Sequence, residues 1–221
     1  MKTDILAFGA HPDDVELGCG GTIAKLISEG KTCVIVDLTR GELGTRGTDQ
    51  TRKEEAAEAA KIRGVAAREN VGFKDGLLVN SEEYQIELVK MIRKYRPEIV
   101  LANAIDDRHP DHAKAAKLES DACFLSGLRK IETVLNGQSQ EAWRPKQIYH
   151  YIQWKDVKPE FVIDISEHLD KKIEACMAFK TQFYDPKSTE PETPITSKDF
   201  YESLTYRAQD LGRLSGVTYA E

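Results

Sequence analysis

The chain has 221 residues, 40% of them apolar and 31% charged, with a net charge of -6. That length and composition suit one compact domain with a substantial core and give no sign of a second, so residues 1–221 are expected to form a single unit. The acidic balance, with Lys and Arg interleaved among acids, argues against a nucleic-acid partner, and no apolar run approaches the roughly 18 residues of a membrane span or the form of a signal peptide.

In chain order, Ile5 to Gly9 reads as a buried strand that breaks at glycine, delivers His11-Pro12-Asp13-Asp14, and passes into a helix from Val15 to Glu29 closed by Gly30. Thr32 to Thr39 is a second buried strand. The glycine-rich stretch Gly41 to Asp49 is too long for a plain connection and predicts a mobile loop at the carboxyl ends of the strands, where function concentrates. Helices are expected over Arg52–Arg63, Ser81–Tyr95 and His112–Leu125, strands at Asn70–Phe73, Ile99–Asn103, Gln147–Ile152 and Phe161–Ile165, and a helix around Leu169, Ile173, Cys176 and Met177. Tyr184 to Ser197, with three prolines, reads as an irregular excursion ordered by a neighbouring subunit or by substrate, and Phe200, Leu204, Ala208 and Leu211 mark a last helix. Strands alternating with helices imply an α/β class, a Rossmann-like and mostly parallel sheet with helices on both faces and ligands outside the carboxyl ends of the strands.

A dinucleotide site fits poorly. Gly18-Cys19-Gly20-Gly21 falls inside the helix rather than at its start, and Asp13, Asp14 and Glu16 would repel a pyrophosphate there. Those glycines instead suit close packing. The four cysteines, Cys19, Cys33, Cys123 and Cys176, form no C-x-x-C pair, which fits reduced thiols and a cytoplasmic location.

Two clusters carry the chemistry. His11 and Asp14, three apart at a strand-to-helix turn, can converge on one divalent cation while Asp13 stays free as a base. By itself this tetrapeptide reads better as an ordinary helix cap. A second His/Pro/Asp turn, Asp107-Arg108-His109-Pro110-Asp111-His112, follows another core strand, and together the two offer the two imidazoles and one carboxylate of catalytic zinc sites. His150 is expected to bond within the sheet, His168 to be solvated, and Cys19 to pack. Arg40, Arg46 and Arg129 suit either an acidic substrate or a solvated surface.

At these residues the sequence resembles the PIG-L/LmbE-type zinc-dependent N-deacetylases, in particular the branch that acts on N-acetylglucosaminyl-malate in bacillithiol biosynthesis. The resemblance rests on His11-Pro12-Asp13-Asp14-Val15-Glu16, Thr39-Arg40-Gly41-Glu42, His109-Pro110-Asp111-His112 and Gly216-Val217-Thr218-Tyr219-Ala220-Glu221. It implies a hydrolase removing the N-acetyl group from an N-acetylglucosaminyl substrate. Another N-acetyl sugar such as a chito-oligosaccharide, or non-catalytic metal and sugar binding, are the alternatives. It further implies one Zn2+ per chain, or another divalent metal, held by His11, Asp14 and His112. Asp13 would be the general base, and a protonated His109 charged by Asp111 would be the second catalytic element. Arg52 and Arg108 would contact substrate; Tyr201 is nearest in sequence to a family tyrosine that holds the tetrahedral intermediate. A small soluble substrate, no membrane and a homo-oligomer such as a hexamer complete what it implies.

Overall fold

The computed structural model of the chain describes residues 2–221. Its strands are β1 (Ile5–Gly9), β2 (Cys33–Thr39), β3 (Ala67–Phe73), β4 (Ile99–Ala102), β5 (Val134–Leu135), β6 (Gln138–Ser139) and β7 (Gln147–His150). Its helices are α1 (Asp14–Ser28), α2 (Asp49–Arg63), α3 (Glu82–Tyr95), α4 (Pro110–Leu125), α5 (Leu169–Met177) and α6 (Lys198–Ser215). Five strands form one parallel sheet in the order β3-β2-β1-β4-β7. β1 and β2 are buried along their whole length because helices cover both faces, which is why they read as unbroken apolar runs.

The alternation of strand side chains divides the core. Leu6 and Phe8 of β1 face α3 and α4, packing with Leu88, Ile92, Leu118 and Ala122. Ile5 and Ala7 face the opposite way, onto Val15, Cys19 and Ile23 of α1. Helix α1 lies so close to its neighbours that a Cβ at Gly18 would sit 2.1 Å from the Tyr151 ring and one at Gly21 2.7 Å from Ile165. The helix departs from helical geometry at Cys19, within this same glycine-rich stretch. Behind it a buried ionic group joins four elements: Arg68 bonds both Glu16 (3.0 Å) and Asp37 (2.7 Å), and Arg63 lies 3.5 Å from Glu16. Two cations against two anions let Asp37 occupy a central strand.

Several elements differ from the sequence reading, β3 among them, since it begins at Ala67 rather than Asn70. Phe161–Ile165 is not a sheet strand; Ile163 exchanges backbone bonds with Glu221, and the Ile165 N–H donates to Tyr219 O, so its apolar pattern reflects pairing with the C-terminal tail. The β5–β6 hairpin turns at Asn136-Gly137, both at positive φ (51° and 77°), the pair a tight hairpin turn requires. Helix α2 starts at Asp49 rather than Arg52 because Thr48 and Thr51 form a reciprocal cap.

Candidate active site

β1 and β4 are neighbours whose connections leave toward opposite faces of the sheet, so their carboxyl ends open the crevice at which α/β sheets bind ligands. The turn after β1 carries His11, Asp13 and Asp14; the segment after β4 carries Asn103 to His112. The three imidazoles meet there, with ring centroids 4.5 Å apart for His11 and His109, 5.4 Å for His11 and His112, and 5.2 Å for His109 and His112. Asp14 lies between two of them: its Oδ2 is 3.5 Å from His11 Nδ1 and its Oδ1 is 3.3 Å from His112 Nε2.

The outward nitrogen of each of these rings meets a carboxylate. Asp75 Oδ1 is 3.0 Å from His11 Nε2, and Asp107 Oδ2 is 2.7 Å from His112 Nδ1. A carboxylate there makes the outer nitrogen the proton bearer and turns the lone pairs of His11 Nδ1 and His112 Nε2 toward Asp14. Burial pulls His112 down, but Asp14 and Asp107 outweigh it and push the ring up to about 9. His11 is likewise raised, against burial, by hydrogen bonds to Asp111, Asp14 and Asp75. Asp14 is held well below the carboxylate range despite burial, chiefly by His112 and His11. Buried carboxylates balanced by protons on two imidazoles suit a divalent cation, which takes the place of those protons. The donor set thus fits a metal with an N,N,O preference such as zinc. Among the described residues, the groups whose ligand atoms all lie within 4.8 Å of one another are His11 with His109 and His112, and His11 with Asp75 and Asp111; His11, Asp14 and His112 do not form such a group, because Asp14 meets the two rings through different oxygens.

Asp13 stands apart from the Asp14 cluster. It makes no cap bond, although it occupies the N-cap position, and its φ of 120° lies in a region that non-glycine residues rarely adopt. Its Oδ2 is 3.2 Å from Arg52 Nη2, and burial pushes the carboxyl up to about 7 against the pull of that guanidinium. Such strain and such a shifted carboxyl cluster at functional sites.

The structure places the other residues that the resemblance names as follows. The Asp111 carboxylate does not hold the His109 ring; it accepts from the backbone N–H groups of Gly76 (2.7 Å) and Leu78 (3.3 Å) and lies 3.7 Å from His11 Nε2. His109 is the cap of α4, its Nδ1 accepting from the Asp111 N–H at 3.3 Å, and burial with His11 and His112 lowers its pKa. With Nδ1 accepting that bond, Nε2 is the ring's donor. Arg52 is buried and spends its guanidinium on Asp13 and the Pro12 carbonyl. Arg46 donates to the carbonyls of Pro191 (2.6 Å) and Glu190 (3.0 Å), so the chain itself fastens the Tyr184–Ser197 excursion. Arg108 is exposed and lies 4.4 Å over the Trp154 ring, available at the rim. Tyr201 lies in the first turns of α6 beside Tyr184, and among the described residues no hydrogen bond joins it to the His/Asp group.

Four supporting residues had no assigned role: Asp75, Asp107, Asn103, whose Nδ2 donates to Asp14 Oδ2 at 3.2 Å, and Gln153, whose Nε2 donates to Asp14 Oδ1 at 2.7 Å. Their shared signal is position, since each follows the carboxyl end of a parallel strand.

Residues 6–123 match the family described as "PIG-L: GlcNAc-PI de-N-acetylase". The chain belongs to the PIG-L family of deacetylases. This PIG-L chain is 31% identical to a diacetylchitobiose deacetylase from Thermococcus kodakarensis, over 98% of its own length and 80% of that protein's. Among solved structures it is similar to the conserved protein TT1542 from Thermus thermophilus, with a TM-score of 0.87, 38% identity and coverage of 99% and 92% of the two chains. It is also similar to N,N'-diacetylchitobiose deacetylase from Pyrococcus horikoshii, with a TM-score of 0.80, 26% identity and coverage of 98% and 81%. No helix among the described residues is long and apolar enough to cross a membrane, and all four cysteines are free and buried.

Proposed function

We propose that this chain is a zinc-dependent hydrolase that removes the N-acetyl group from a small N-acetylglucosaminide. The observation that carries the reading is the pairing of two oriented imidazoles and Asp14 with a separate, strained Asp13 carboxylate. A site built only to bind metal or sugar has no use for that additional base. His11, Asp14 and His112 would hold the ion, with Asp75 and Asp107 fixing the two rings from behind. Zinc supplies Lewis-acid polarisation of the acetamide carbonyl and makes the attacking water more acidic.

The remaining steps belong to the chain. Asp13, aimed by Arg52, takes the proton of the attacking water and returns it to the amide nitrogen as the C–N bond breaks, so that acetate and the free amine leave. His109 offers its Nε2–H to the developing oxyanion, its ring fixed by the bond that Nδ1 accepts from the Asp111 amide. Asp111 anchors the Asp75–Leu78 turn, and through it the support of His11. Asp75→Ala should weaken zinc by about 10- to 100-fold, the usual cost of losing the partner of a ligating histidine. Competition with a chromogenic chelator measures this, and unchanged affinity would remove Asp75 from the support.

For the aglycone, likeness to two diacetylchitobiose deacetylases favours a second sugar, so a chito-oligosaccharide is the first reading. The bacillithiol-type substrate, N-acetylglucosaminyl-malate, remains a second reading because Arg108, exposed and stacked on Trp154, offers a bidentate guanidinium to a carboxylate. Steady-state kinetics on N-acetylglucosamine, diacetylchitobiose and N-acetylglucosaminyl-malate separate them. A malate preference of at least about tenfold over the free sugar, lost in Arg108→Ala, supports the second reading. An equal or better specificity constant for the disaccharide supports the first. A cytoplasmic location and a homo-oligomer, a hexamer included, are proposed on the family resemblance. A sedimentation mass near the 24.8 kDa of one chain would contradict that assembly.

A further inference from the structure

Behind Asp14, one residue joins four elements. Asn103, fully buried just after β4, uses three of its four polar groups: its N–H donates to Glu119 Oε2 at 2.8 Å, its C=O accepts from His150 Nδ1 at 2.7 Å, and its Nδ2 donates to Asp14 Oδ2 at 3.2 Å. Among the described residues its Oδ1 has no partner. Glu119, on α4 and equally buried, is in the same position: Oε2 takes the Asn103 N–H and Oε1 has no partner. With Glu119 ionised, two residues already joined by one bond would bury two acceptors without a donor, an arrangement folded proteins avoid. A single proton on Glu119, shared with Asn103 Oδ1, would remove both deficits.

The surroundings favour that proton. Among the described residues no Lys or Arg is paired with Glu119; the titratable groups that sense it there are Asp14, His112, Cys123 and Tyr151, of which His112 alone attracts its charge. Burial pushes the carboxyl up to about 8, with the Asp14 charge adding to the rise and the Asn103 N–H and His112 opposing it. We propose that Glu119 is carried as the neutral acid and donates its O–H to Asn103 Oδ1, making it a positioning residue that fixes the Asn103 amide against Asp14. A donor at Oδ1 excludes the flipped amide, which would turn a carbonyl oxygen toward the Asp14 carboxylate. The effect on metal rests on reading Asp14 as a ligand; the protonation does not.

Glu119→Gln is the decisive variant, because its amide offers one donor and one acceptor in the places the neutral acid does. In zinc-loaded protein at pH 7, the infrared difference between wild type and Glu119→Gln should show a protonated-carboxyl C=O band present only in wild type. Zinc affinity should be unchanged in Glu119→Gln and weaker by roughly tenfold in Glu119→Leu. Absence of the acid band, or a Glu119→Gln variant that weakens zinc as Glu119→Leu does, overturns the proposal. If the leucine variant does not fold, the band and the glutamine affinity still decide. A chain that shows the band but releases no acetate fails as a deacetylase and keeps its neutral Glu119, so the two failures are distinguishable.

Discussion

Asp13→Asn is expected to keep its zinc and lose about two to four orders of magnitude in turnover, the usual contribution of general acid-base catalysis. The substitution is nearly isosteric, and asparagine tolerates positive φ better than most residues, so the 120° backbone at this position should survive. What disappears is a carboxylate that sits within 3.2 Å of Arg52 and outside the Asp14 hydrogen-bond group. Elemental analysis and steady-state acetate release on the same preparation check both halves of the expectation. Near-normal turnover would remove Asp13 from the mechanism; loss of metal would make it a ligand.

His112→Ala should cost most of the zinc affinity and leave a folded chain. The ring contributes Nε2 beside Asp14 and leaves Nδ1 to Asp107, so its removal deletes a ligand and strips Asp107 Oδ2 of its closest partner. Asp107 keeps backbone partners at Arg108, Trp154 and Lys155, which limits the stability cost to about 1–3 kcal/mol. Helix α4 is capped by His109 and begins at Pro110, so its start does not depend on His112. Zinc content and far-UV circular dichroism read the outcome, and a full zinc equivalent in the variant would show the ligand set to be wrong.

Much of this site is legible in the order of the amino acids alone. A parallel strand buried on both faces must be an unbroken apolar run, so β1, β2 and β4 stand out, and the polar residues at their ends mark the crevice. His11, Asp14 and His112 are visible because two motifs at two such strand ends are hard to explain separately. Partnerships between elements are not visible. Nothing in the local sequence distinguishes Arg52, buried against Asp13, from Arg108, exposed on Trp154, because the difference lies in where α2 and the segment after β4 lie relative to the crevice. The same holds for Arg46, whose partners lie more than a hundred residues away on the proline-rich excursion. His109 resembles a triad histidine because Asp111 follows two residues later; in a helix start, that spacing gives its ring the Asp111 amide instead of the carboxylate. Phe161–Ile165 has the pattern of a strand because it is paired, though with the tail and not with the sheet.

The central claim, metal-dependent removal of acetate from an N-acetylglucosaminide, is tested most directly by acetate and free-amine release from diacetylchitobiose and N-acetylglucosaminyl-malate. The same protein is assayed as prepared, after chelation, and after one equivalent of zinc is restored. The expected result is stoichiometric acetate and amine from at least one substrate, abolished by chelation and recovered with zinc. Release that survives complete metal removal, or no release from either substrate by the zinc-loaded protein, would contradict it.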